Sequence, residues 1–176
     1  MLIFIISGGG QQRIRLLDNN LNALPNHFEI VVKQLIKEKL KVDFSQGLDI
    51  RLITLEMAQL LAQVKLWKSI HFAWDNIKDE KEIREGIKIL ERGGVKLYNC
   101  MFYVLVGFNS TEEEDLYRIN TLWKDLGVYP FVMPFNKKDR YQKDLARWVN
   151  HKAIFKTVEW KDYRRSRNVY LSNSTC

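Results

Sequence analysis

Cysteine, histidine and proline are scarce in this 176-residue sequence, which holds 2 Cys, 3 His and 3 Pro. The two thiols, Cys100 inside an apolar run and Cys176 at the last position, form no CxxC or Cys/His constellation. That excludes a metal centre built wholly from this chain's thiolates and suits a reducing compartment. His27, His71 and His151 are isolated and share no metal-ligand spacing, and no Ser/His/Asp or Cys/His pairing of nucleophile and base stands out. Low proline with only 9 Gly argues against collagen-like and low-complexity architectures, and no repeat of solenoid length is visible. Long apolar runs are missing too. The longest, Met1 to Ile6 and Met101 to Val106, fall far short of the about 20 residues that span a bilayer, so a soluble chain without a membrane partner is expected. The opening MLIFIISGGG has neither a basic flank nor a small-residue cleavage pattern, and a cytoplasmic location follows as the expectation.

What is present suits one ordinary domain with a hydrophobic core: 46% hydrophobic and 28% charged residues. The net charge is +7, from 28 Lys and Arg against 21 Asp and Glu. Part of the excess gathers near the end, where Lys152, Lys156, Lys161, Arg164, Arg165 and Arg167 face only Glu159 and Asp162. Such a tail is either a solvated C-terminus or a contact for nucleic acid or another anionic partner.

Periodicity gives a repeating order of strand, polar loop and amphipathic helix. Ile14 to Leu17 reads as a short strand ending in Asp18-Asn19-Asn20, and Pro25 opens a helix with Phe28, Val31, Val32, Leu35 and Ile36 on one face. Val42 to Phe44 is a second strand, and Thr54 caps a helix through Met57, Leu60, Leu61 and Val64. Ser69 to Trp74 is a third. Asp79 with Glu82 predicts a capping box on a helix stopped by Gly93-Gly94. Tyr98 to Val106, the most apolar strand, reads as buried on both faces. Ser110 or Thr111 then caps a helix that runs to Gly127, and Tyr129 to Phe135 followed by a helix from about Arg140 to Asn150 completes the order. Strands alternating with helices over short loops predict an α/β fold with a parallel sheet.

In parallel α/β sheets ligands gather at the carboxyl ends of the strands, and each strand here ends in polar or glycine residues. Asp18-Asn19-Asn20 is either part of such a rim or a self-bonded Asx loop. Gln46, Asp49 and Arg51 follow a buried strand, where charge must be solvated, ligated or paired internally as Asp49 with Arg51. Asp75-Asn76 admits the same two readings. Ser7-Gly8-Gly9-Gly10 lacks the spacing of a phosphate-cradling loop and reads as a turn.

The ordered set RLLDNNLNALPNHFEIVVKQL, KVDFSQGLDIRLIT, IHFAWDNIKDEKEIREGIKILERGGVKLYNCMFYVLVGFNSTEEEDLYRI and PFVMPFNK resembles the core of radical S-adenosylmethionine (radical SAM) proteins. The resemblance covers roughly residues 13–150, with 1–12 outside the family and 151–176 a basic extension. It implies a partial, TIM-barrel-like (β/α) barrel of about five parallel strands with outer helices and SAM lying across the strand ends. By position it places Asp18, Asn19 and Asn20 at the methionine amino group. Gln46, Asp49 and Arg51 fall near the ribose or carboxylate, Asp75 and Asn76 at the site after the family's fourth strand. Val106, Gly107 and Phe108 match the backbone that lines adenine, and Asn136 the floor.

Family members hold a [4Fe-4S] cluster on a CxxxCxxC loop after their first strand, and this sequence has no such loop. The expectation is therefore the SAM-binding part of a truncated or split enzyme, inactive alone, whose cluster would come from a separate N-terminal fragment. The alternatives are a non-catalytic remnant, a nucleotide or nucleic-acid-binding module, and an unrelated α/β enzyme using the rim carboxylates.

Overall fold

The computed structural model describes residues 3–8, 11–18 and 20–163. Its strands β1 (Ile3–Gly8), β2 (Gln11–Leu16), β3 (Lys41–Phe44), β4 (Lys65–Ala73), β5 (Cys100–Val106) and β6 (Tyr129–Pro134) form one sheet in that order. The five strands β2 to β6 are all parallel, as the alternation predicts. β1 is the addition: it runs antiparallel to β2, with Ile3 opposite Leu16 and Gly8 opposite Gln11. Only two residues separate these strands, and a parallel pair needs a crossover of a dozen or more. The sheet edge beside β2 is consequently β1.

Between the parallel strands lie α1 (Pro25–Lys37), α2 (Leu55–Leu61), α3 (Glu80–Arg92) and α4 (Glu112–Asn120), with α5 (Arg140–Asn150) and α6 (Lys152–Thr157) after β6. Among the described residues no helix is long and apolar enough to cross a membrane. Strand order equals sequence order, so right-handed crossovers carry the helices to one face. Burial follows that geometry. In β5, Cys100, Phe102, Val104 and Val106 are fully buried in a core shared with Phe28, Ile83, Leu90, Ile119 and Leu145, whereas Met101, Tyr103 and Leu105 remain half-buried. The expectation of burial on both faces of this strand is thus corrected; its apolar composition hides a period-two alternation.

Local chemistry explains most boundaries. The Thr54 side chain accepts from the Met57 N–H, and Thr111 with Glu114 forms a reciprocal capping box. The Asp79–Glu82 box does not form: Ile77–Asp79 is a 3-10 turn capped by Asn76, whose side chain accepts from Lys78 N–H, and Asp79 makes no side-chain cap bond. β4 starts four residues earlier than expected, and a bulge separates the pairs Val42 with Leu66 and Phe44 with Ile70. After α4 the helix widens into a π turn over Thr121–Asp125. The first part of the basic extension packs on the body. Phe155 is buried against Trp148, Trp160 stacks with Tyr163, and Trp148 Nε1 donates to the Val158 carbonyl at 2.8 Å. Arg164, Arg165, Arg167 and Cys176 lie outside the described residues.

One buried ion pair ties the carboxyl ends of the strands together. Arg118 and Asp115 of α4 have fully buried side chains and meet at 2.6 Å. Arg118 also donates to the carbonyls of Trp74 (2.8 Å) and Leu105 (2.9 Å), and Asp115 accepts from Ser110 Oγ and the Gly107 N–H. Two strand ends and the following turn are thereby held by one helix.

Candidate functional site

A cavity of about 420 Å³ opens at the carboxyl ends of β2, β3 and β4, lined in part by Asn20, Gln46, Asp49, Arg51, Asp75 and Asp79. That volume is within the usual range for small-molecule sites. Three consecutive loops supply the polar groups, and Leu48, Ile50, Phe72, Ile83 and Tyr103 form the apolar wall.

The loop after β3 is fixed from both sides. Gly47, at φ +88°, turns the chain so that Leu48 N–H donates to the His71 carbonyl at 2.8 Å. The buried Asn22 donates through Nδ2 to the Asp49 carbonyl (2.8 Å) and accepts through Oδ1 from the Asp49 N–H (2.9 Å). Asp49 then caps the short 3-10 turn Ile50–Leu52 and takes a forked pair of bonds from Arg51, Nε to Oδ1 at 2.9 Å and Nη2 to Oδ2 at 2.8 Å. The internal ion pair is therefore formed. Hydrogen bonds from the Arg51 side chain hold the Asp49 carboxyl below its ordinary range despite partial burial, and the same contacts push the Arg51 guanidinium up. Arg51 stays exposed, and its Nη1 and second Nη2 hydrogens take no part in the Asp49 fork.

Across the cavity the Asp75 Oδ1 accepts from the Leu105 N–H at 3.0 Å. Tyr103 stacks on His71, ring centres 5.2 Å apart and 10° from parallel, and its hydroxyl donates to the Ser45 carbonyl at 3.4 Å. Burial raises the Tyr103 hydroxyl and lowers the His71 imidazole, so both are neutral near pH 7.

Of the sequence-predicted residues, Asn20, Gln46, Asp49, Arg51 and Asp75 meet in the cavity. The other described residues stand elsewhere. Asp18 closes an Asx turn on the Asn20 N–H, and Asn19 lies outside the described residues. Asn76 does not line the cavity: its side chain caps a turn and its carbonyl accepts from Trp74 Nε1. Val106 is buried, and Phe108 packs against Phe135 with ring centres 4.8 Å apart. Gly107, at φ +73°, gives the Gln142 amide the space a Cβ would fill, and Gln142 Oε1 accepts from the Asn136 N–H. Asn136 itself bonds the Lys138 N–H. This second group binds the β5 and β6 turns to α5 rather than to the cavity. Sequence reasoning missed Tyr103 and Asp79; alternation along β5 was the available signal for Tyr103.

Among the described residues no group of three or more His, Cys, Asp or Glu is placed to hold a metal ion. Cys100 is buried, and burial pushes its thiol up to about 12. The fold and cavity define an α/β protein with a five-stranded parallel sheet and a polar site at its strand ends. Comparison with protein-family models, curated proteins and solved structures returned no match.

Proposed function

We propose that the chain is a radical SAM-like partial barrel whose rim cavity binds S-adenosylmethionine. The observation that carries the reading is the convergence of Asn20, Gln46, Asp49, Arg51 and Asp75 from three successive strand ends on one cavity with an apolar wall. The sequential order of the parallel strands supports the partial (β/α) barrel. The donor set suits a zwitterionic amino acid joined to a nucleoside. Arg51 offers its remaining N–H groups to a carboxylate, Asp75 and Asp79 accept from an ammonium or ribose hydroxyls, and Phe72 and Ile83 back a flat ring.

The family's iron-sulfur cluster does not fit this chain's residues. Its loop needs three neighbouring thiolates, and the sequence has two cysteines, of which Cys100 is an inert buried thiol on β5. We assign no cleavage of SAM to these residues; their work is binding and orientation, with a cluster-bearing N-terminal fragment as the partner that an active enzyme would require.

Calorimetric titration with SAM tests the reading. Weak binding is expected, and Arg51→Ala or Asp75→Ala should weaken it about tenfold or more, since one charge-assisted hydrogen bond contributes about 1.5–3 kcal/mol. Lys161→Ala should leave it unchanged. No detectable heat at millimolar SAM, or equal loss from Lys161→Ala, overturns the assignment.

A further inference from the structure

Strands β2, β3 and β4 carry five cations, Arg13, Arg15, Lys41, Lys65 and Lys68, against one carboxylate, Asp43. Arg13 lies opposite Lys41 and Lys41 opposite Lys65, so three basic residues form a row with steps of about 4.8 Å. Like charges facing each other across a sheet repel. Asp43 is wholly buried and engaged by Arg15 Nε at 3.1 Å and Lys68 Nζ at 3.6 Å. The bulge between β3 and β4 sits at this position. Among the described residues no carboxylate pairs with Arg13 or Lys65, and both are exposed.

One aromatic ring accompanies the row. Arg13, Arg15 and Lys68 all lie within 6.0 Å of the centre of the half-buried Trp67 ring, which holds the cations together.

We propose that this sheet surface binds single-stranded nucleic acid, with phosphates along Arg13, Lys41 and Lys65 and an unpaired base against Trp67. A row about 10 Å long follows one sugar-phosphate backbone, and an aromatic platform selects bases that a duplex keeps stacked inside. The proposal does not depend on the cavity's ligand.

Fluorescence anisotropy of a labelled 20-nucleotide single strand, titrated from 50 to 200 mM salt, tests it. The expected result is salt-dependent binding that Arg13→Glu/Lys65→Glu weakens at least tenfold, with a salt slope shallower by about 0.7 for each phosphate that is no longer neutralised. The helix-face pair Lys37→Glu/Lys88→Glu, of equal charge change, should stay within twofold. Thermal melting verifies both folds, and Arg13→Gln/Lys65→Gln replaces the reversal if that variant does not fold. Absence of binding at 50 mM salt, equal weakening by the helix-face pair, tighter binding of the duplex, or weakening only on neutralising Arg164, Arg165 and Arg167 overturns the proposal.

Discussion

Replacing Arg118 with methionine keeps the length and apolar stem of the side chain and removes its charge. Three partners then lose their donor at once: Asp115 and the carbonyls of Trp74 and Leu105. Breaking one side of a buried ion pair costs about 3–5 kcal/mol, because the remaining charge stays in low dielectric without compensation. Each orphaned carbonyl carries a further penalty of about 1–3 kcal/mol where it cannot reach water. Against a typical total stability of about 5–15 kcal/mol, Arg118→Met should remove at least about 3 kcal/mol in urea unfolding at 25 °C and lower the melting temperature by roughly 10 °C. Part of the native pair's worth is already forfeited, since Arg118 Nε is buried with no hydrogen-bond partner. Adding Asp115→Asn should recover some of the loss, because the amide removes the stranded charge. A loss below about 1 kcal/mol, or strict additivity of the two changes, would refute the reasoning.

Gly107→Ala should destabilise by about 1–3 kcal/mol, because the left-handed backbone at φ +73° disfavours a side chain and the new Cβ would meet Gln142; chemical denaturation reads the loss. The Asp49 carboxyl is depressed in the folded state, so its stabilising contribution is full above the ordinary value of 3.8 and fades as pH falls through the lower folded value. Melting curves from pH 2 to 7 should therefore converge for wild type and Asp49→Asn at the acid end, with a gap under about 1 kcal/mol at neutral pH because Arg51 is exposed. In a Cys176→Ser background, Cys100 should not react with a thiol-specific disulfide reagent at pH 8 until the protein is unfolded, given its burial.

The order of strands and helices was legible because periodicity and caps such as Thr54, Thr111 and the Pro25 start are local signals. β1 was harder to read, since its pairing depends on a partner rather than on its own pattern. Five cavity residues were found by a simple rule, polar residues just past a strand. The same rule also picked Asn136, Gly107 and Asn76, which do not line the cavity, because residues just past a strand also terminate strands and start helices, and only three-dimensional packing distinguishes the two uses. The five basic residues of β2 to β4 gave no one-dimensional cluster; register alone gathers them.

The Asn22, Asp49 and Arg51 bonds have a consequence for binding thermodynamics. The Asn22 side chain and the Asp49 backbone are locked together, and the Asp49 carboxylate holds Arg51 in a fixed fork before any ligand arrives. Ordering a rotamer-rich side chain at an interface costs about 0.5–1.5 kcal/mol, and here that ordering belongs to the fold. A ligand that matches the fixed donors binds without that entropic loss, whereas one offset by an ångström must first break the Arg51 fork to Asp49.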